Sequence, residues 1–532
     1  MQRLTFVGMA AALAVSGGLA LGGCTVRRSQ PNLVGQDIRL TVIHTADIHS
    51  RLFPYNFVPN TFDQGYGLKS SNAPFGGIAR ISTLVKQIRR ASNRSLWLDS
   101  GDCFQGAPVF NEFKGEAEMR ALTVAGLDGA VLGNHEFDRG AKNLFTQIDN
   151  WAGYPLLAAN YAWDDPPPAA AISNGRSLRD VVAPYEIYDV QGLRVGVIGM
   201  GNTSTLTSIY EAGNSLGFRP LADNDALDQW VRILRPQVDL VVVVSHLGLD
   251  EDEGLTASQV TDPNASLPLQ NVDLILGGHL HIVTNPPKLI PNDSQGHSTV
   301  LVHSGAFAKY VGRLDLVVHV GANNADPAQR SRITSFSYVN LPVDKTINDD
   351  PAVANLMWPY SVKLNQDIDL NGKFSYVDPA GGAKILRNDP SGGDSQLGNL
   401  VARSMQLQQS VQAEFAVTNS LGIRADFERG PLTIEQMFNV FPFENTIVVM
   451  YLSGVEVQEM MDFVAQRSSI RGCRTQAPRR RARASSDLAG TRLRHCGIQL
   501  AAGHGTARIV RRPDRILGRR DSALYANRGM AG

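Results

Sequence analysis

The sequence predicts an α/β protein, and three observations lead there. Short apolar runs of strand length recur through the first half of the chain, at Leu40 to Ile43, Leu96 to Leu98, Ala130 to Leu132, Val195 to Ile198, Leu240 to Val244 and Leu274 to Leu276. Helical spacing lies between several of them, as at Ile78 to Ile88 and Ala117 to Ala125. Acids, amides and histidines then gather just beyond the apolar runs, where an α/β sheet places binding loops at the carboxyl ends of its strands.

At 532 residues, 43% of them apolar, the chain exceeds what one hydrophobic core serves, and two domains are expected. Fifty lysines and arginines balance fifty aspartates and glutamates. That balance gives no case for nucleic acid as a partner.

The chain opens with Arg3, an uncharged and mostly apolar run from Leu4 to Ala20, and Leu21-Gly22-Gly23-Cys24. A positive start, a short apolar stretch and small residues are the parts of an export signal, and the run is short for a membrane span. The stretch resembles a bacterial lipobox, which implies that residues 1–23 are removed, that Cys24 is acylated, and that residues 24–37 form a tether. The expected location is therefore exported and lipid-anchored, on the outer membrane, its periplasmic face or the cell surface. Thr25, where an aspartate would retain the protein at the inner membrane, favours the outer one. Cys473 and Cys496 could pair in such a compartment, and Cys103 reads as packing.

Five stretches carry the chemistry: Asp47-Ile48-His49, Gly101-Asp102, Gly133-Asn134-His135-Glu136, His246, and Gly278-His279-Leu280-His281. Of only eleven histidines in the chain, five lie in these stretches. Divalent cations that activate water take oxygen and imidazole ligands, and two of them about 3.5–4 Å apart need one carboxylate able to touch both. Asp102 is the candidate bridge. A spacing of two lets Asp47 and His49 converge where a loop breaks strand alternation, and lets His279 and His281 divide between two ions. Singly these pieces are commonplace, since a Gly-Asp pair is usually a turn and His246 could be a core histidine. The ordered set carries the reading.

That set resembles the calcineurin-like metallophosphoesterase superfamily over residues 38–341. The resemblance implies a β-sandwich flanked by helices, in four layers α/β/β/α. It implies one divalent ion on Asp47, His49, Asp102 and His281, and another on Asp102, Asn134, His246 and His279, the metals being zinc, manganese, iron or cobalt. It leaves His135 free to stabilise the transition state or protonate the leaving oxygen, with Asp138 placed to orient it. Glu136, His44, Asp99 and His303 gain nothing from spacing and are not assigned.

Residues 342–373 read as a helical linker and 374–470 as a second, α+β domain. Within the latter, Leu397 to Leu407 reads as an amphipathic helix, Ala413 to Val417 as a strand and Thr446 to Leu452 as a β-rich run. Leu397-Gly398-Asn399-Leu400, Thr418 to Ala425 and Phe441-Pro442-Phe443-Glu444-Asn445 resemble the C-terminal domain of secreted 5'-nucleotidases and UDP-sugar hydrolases. The resemblance implies a nucleotide substrate, with Asn419 and Arg424 toward phosphate or sugar and Phe443 and Asn445 toward the base. Ser420-Leu421 stands where that family commonly has glycines, and no Gly-Gly-Asp-Gly-Tyr/Phe segment follows to supply a second aromatic wall. From 471 to 532 arginines crowd together, no lysine or glutamate follows, and periodicity fades, which reads as a shifted frame or as disorder.

The leading expectation is a 5'-nucleotidase. A UDP-sugar hydrolase or 2',3'-cyclic nucleotide phosphodiesterase of the same fold stays open, as does a surface lipoprotein that binds a ligand without turnover. A dinucleotide fold at Gly199-Met200-Gly201 lacks the third glycine of its fingerprint.

Overall fold

The computed structural model describes residues 32–203, 216–257, 272–291, 298–369, 373–375, 384–387, 395–408, 413–419, 422–430, 432–443, 445–470 and 498–502. Cys24, Cys473 and Cys496 lie outside these residues, as does the expected signal segment. Among the described residues no helix is long and apolar enough to cross a membrane.

Two sheets face each other. The first has seven strands in the spatial order Arg332–Pro342, Tyr310–His319, Asp37–Thr45, Ser95–Asp99, Gly129–Val131, Leu156–Leu157 and Val182–Ala183. The second has six, in the order Lys288–Pro291, Ser298–His303, Leu274–Gly277, Leu240–Ser245, Leu193–Met200 and Tyr185–Val190. The site-bearing strands run parallel to one another within each sheet, with Val42 beside Leu96 in one and Val243 beside Ile275 in the other, while Tyr310–His319 pairs antiparallel with Asp37–Thr45.

Strand alternation explains the layering. Leu40, Val42, Leu96 and Leu98 point inward to meet Val195, Val197, Val242, Val244, Leu274 and Leu276 of the second sheet in one buried core. Their neighbours Ile43 and Trp97 point outward, against Ile78, Ile81 and Val85 of the helix Ile78–Ala91. On the far side Val241, Val243 and Ile275 pack on Leu227, Val231 and Leu234 of the helix Asp223–Leu234. The strands are apolar on both faces because both faces are covered. The result is the four-layer α/β/β/α sandwich.

The expected linker contains the helix Pro351–Asp367, capped by the Asp350 side chain, which accepts from Ala352 N. It is not a free tether, because Val353, Met357, Tyr360 and Leu364 enter the helix-side core of the first sheet.

Beyond it the second domain has a small core of Leu397, Ile423, Phe427, Leu432 and Val440. The helix Gln396–Gln406 and the strand Phe415–Asn419 fall where hydrophobic spacing placed them. Within Thr446 to Leu452 Val448 makes a single β-bridge rather than a continuous strand, and Val448, Met450 and Tyr451 are exposed. Ile498–Ala502 pairs antiparallel with Phe415–Asn419, so part of the stretch beyond residue 470 joins a sheet of this domain.

Candidate metal centre

The site sits where strands of both sheets end. The loops after Thr45 and Asp99 are zipped together past the ends of their strands. Asp47 N donates to Gly101 O at 2.9 Å, His49 N to Asp102 O at 2.9 Å and Ser50 N to Cys103 O at 2.9 Å. Gly101 is required at its position, because its φ is +86° and a Cβ there would lie 2.8 Å from Gly133 N. Gly133 is required for a different reason: a Cβ there would lie 2.2 Å from Asp102 Oδ1. The Gly-Asp and Gly-Asn-His motifs are therefore two halves of one close contact.

The donor atoms fall into two groups. One ligand atom from each of Asp47, His49 and His281 lies within 4.8 Å of the others, and so it is for Asp102, His246 and His279. The groups adjoin, since His246 Nε2 is 3.0 Å from Asp102 Oδ2 and 3.9 Å from Asp47 Oδ1, and His49 Nε2 is 3.9 Å from Asp102 Oδ2. Asp102 thus lies between imidazoles of both. Asn134 sits between Gly133 and His135, both of which touch Asp102, and its Oδ1 is buried with no hydrogen-bond partner.

Backbone bonds aim the rings. His49 Nδ1 donates to Gln105 O at 2.7 Å and His246 Nδ1 to Ser100 O at 2.5 Å, which leaves Nε2 of each as the inward nitrogen. His49 Nε2 and His281 Nε2 then lie 2.8 Å apart, and His246 Nε2 faces Asp102 Oδ2 at 3.0 Å. Asp47, His49, Asp102, His279 and His281 all have φ between +49° and +75°, a left-handed backbone that non-glycine residues rarely adopt.

The electrostatics tell the same story. Burial alone would raise the pKa of Asp102, but His246, His135 and His49 hold it well below the usual carboxylate range. Burial, only partly offset by His246, pushes Asp47 well above it. Burial opposes a charge on His246 too, yet Asp102 and Asp47 lift it to about 10. His279 is lowered to about 4 by burial and His246, and His281 falls well below its usual value through burial and His49. Buried carboxylates, converging imidazole nitrogens and the unpartnered Oδ1 of Asn134 make a donor set that fits divalent cations.

His135 N donates to Asp102 Oδ1 at 2.8 Å, while its Nδ1 lies 2.8 Å from Asp138 Oδ2. Asp138 and Asp102 raise the His135 pKa against the opposing effect of burial.

From the second domain, Phe443 stacks on the His135 ring at 5.6 Å between centroids, and the Arg424 guanidinium lies 5.3 Å from the Phe443 ring centre. Burial lowers the Arg424 pKa while Asp102, Asp47 and Asp138 oppose that, so its charge lies among the site acids. Asn445 is exposed, and the side chain of Asn419 is outside the described residues.

Glu136, unassigned from sequence, is central here. Its carboxylate accepts from Asp102 N at 3.0 Å, Cys103 N at 2.8 Å, Phe104 N at 3.3 Å and Gly133 N at 2.7 Å. Phe307 was also missed. Its ring stacks on His49 at 5.3 Å and meets His281 edge-on at 4.7 Å, from a backbone φ of +62°. The only signal was Gly305 just past the strand Ser298–His303. Cys103 is free and buried, as packing requires.

Comparison with known proteins agrees with this geometry. Residues 40–283 match the calcineurin-like phosphoesterase family, and residues 377–500 match the 5'-nucleotidase C-terminal domain. A 5'-nucleotidase of Vibrio cholerae is 26% identical over 475 residues, covering 84% of this chain and 79% of its own length. A trifunctional nucleotide phosphoesterase of Bacillus subtilis is 25% identical over 454 residues, 80% of this chain, and this chain spans only 27% of that longer protein. Among solved structures, a 5'-nucleotidase precursor from Thermus thermophilus superposes with a TM-score of 0.65 at 23% identity, covering 87% of this chain and 81% of that one, a likeness of fold. With its donor clusters at the strand ends and both domains matched, the chain belongs to the calcineurin-like phosphoesterases that carry a 5'-nucleotidase C-terminal domain.

Proposed function

We propose that this protein is a 5'-nucleotidase, hydrolysing nucleoside 5'-monophosphates to nucleoside and phosphate with two divalent cations. The observation that carries the reading is the pair of buried donor clusters meeting at Asp102. The nucleotide substrate is supported by the C-terminal domain match and by the activity named for the Vibrio cholerae relative.

Asp47, His49, Asp102 and His281 would hold one cation and Asp102, Asn134, His246 and His279 the other. When bound, such cations supply Lewis acidity and positive charge for attack of water on phosphorus. The chain's own residues do the rest. His135, its Nδ1 held by Asp138, has Nε2 to donate a proton to the leaving oxygen. Arg424 offers charge-assisted hydrogen bonds to phosphate or sugar oxygens, and Phe443 an aromatic face to the base. No covalent phosphoenzyme is needed.

A substrate panel of AMP, a 2',3'-cyclic nucleotide and UDP-glucose tests the reading. Phosphate release from AMP at the highest kcat/KM is expected; no release from AMP would reject the assignment in favour of one of the other two bonds. Attachment to the membrane through acylated Cys24 is proposed from the Leu21-Gly22-Gly23-Cys24 pattern, and incorporation of a palmitate analogue that Cys24→Ala abolishes is its test.

A further inference from the structure

Gln105 touches both halves of the molecule, through different atoms. Its main-chain carbonyl accepts from His49 Nδ1 at 2.7 Å, fixing the ring that turns Nε2 toward the donor clusters. Its side-chain Nε2 donates to Pro442 O at 2.8 Å, in the loop of the second domain that carries Phe443. Gln105 is buried and has a φ of +58°, so a strained backbone is held in place to serve both contacts. A Cβ on the following Gly106 would lie 2.8 Å from His49 Cβ, which keeps this turn pressed against the histidine.

Other described residues join the domains nearby. Asn111 Nδ2 reaches Pro442 O at 3.4 Å and Arg51 Nη1 reaches Asn439 Oδ1 at 2.5 Å. Phe443 then lies on His135.

We infer that Gln105 is a positioning residue that registers the Phe441–Phe443 loop of the second domain against the metal centre. It fixes the distance between the base-facing aromatic ring and the atoms that handle phosphate. The proposal deepens the nucleotidase reading and rests on it. The side-chain amide does this work, whereas the carbonyl that holds His49 belongs to the main chain and survives any substitution. The two roles are therefore separable.

The test is Gln105→Met, which keeps length and apolar bulk but removes the donor, with Gln105→Ala as a second variant. Three measurements on the full-length protein decide it: kcat/KM for AMP, kcat/KM for p-nitrophenyl phosphate, which has no base or ribose, and amide exchange in peptides spanning residues 434–443. Loss of one hydrogen bond to a buried carbonyl predicts a fall of about tenfold or more with AMP, about 1.4 kcal/mol. The fall with the aryl phosphate should be several-fold smaller. Exchange in the loop should quicken, and metal content should stay at the wild-type value. Equal loss on both substrates, loss of metal, or unchanged exchange with unchanged AMP kinetics would each overturn the proposal. Failure of the wild-type protein to cleave AMP would instead sink the nucleotidase reading, while the exchange measurement would still decide whether Gln105 clips the loop.

Discussion

Around Asp102 the loops are tied to one another through buried hydrogen bonds, whereas among the described residues the second domain brings Arg424 and Phe443 to the site from a domain whose core includes Leu397, Ile423, Phe427, Leu432 and Val440. The first region spends its contacts on geometry. Five of the proposed ligands hold a left-handed backbone, each at a cost of about 1–3 kcal/mol, and bonds such as those to Glu136 over-determine the loops enough to keep them there. The second region places Arg424 and Phe443 beside that centre. The difference teaches that damage to the first should cost chemistry and metal, and damage to the second should cost substrate recognition alone.

The largest effect should come from Asp102→Ala, which removes the carboxylate proposed to bridge the two cations. Phosphatase activity should vanish and metal content fall, while secretion persists; near-wild-type turnover measured with AMP would displace Asp102 from the centre of the account. His135→Ala should lower kcat by roughly 10² to 10⁴. Metal content, read by elemental analysis, should not change, because His135 is not among the proposed ligands.

Glu136→Ala breaks the comparison in another way. It leaves four buried backbone donors without their carboxylate, at about 1–3 kcal/mol each. The melting temperature of the phosphoesterase domain and its metal affinity should fall together. A fall in one without the other would separate folding from the metal centre.

The smallest effect on chemistry should come from Leu397→Ala, a fully buried residue of the second domain's core. It should cost about 2–5 kcal/mol of that domain's stability and raise KM for AMP, yet leave metal content and aryl phosphate hydrolysis near wild type. Parallel loss of both activities would show that the two regions are not separable.

Much of this was legible in the sequence, for a physical reason. Strands covered on both faces must be apolar throughout, so Leu240 to Val244 and Leu274 to Leu276 announced themselves, and ligands placed just past such strands appear as motifs of fixed spacing. Glu136 was not legible because its partners are main-chain amides, which every residue has. Phe307 and Gln105 were missed because their roles arise from backbone conformations and contacts far apart in sequence, Gln105 with Pro442 and Phe307 with His49 and His281. The helix Pro351–Asp367 read as a linker because its polarity is that of a surface helix, while Val353, Met357, Tyr360 and Leu364 form the single buried stripe that docks it.

Elemental analysis of protein purified without chelator, joined to a crystal structure with anomalous scattering from the bound metal, tests the central claim most directly. Two peaks are predicted, flanking Asp102, one within ligand distance of Asp47, His49 and His281 and the other of Asn134, His246 and His279. A single peak, or two that do not share Asp102, would contradict the account.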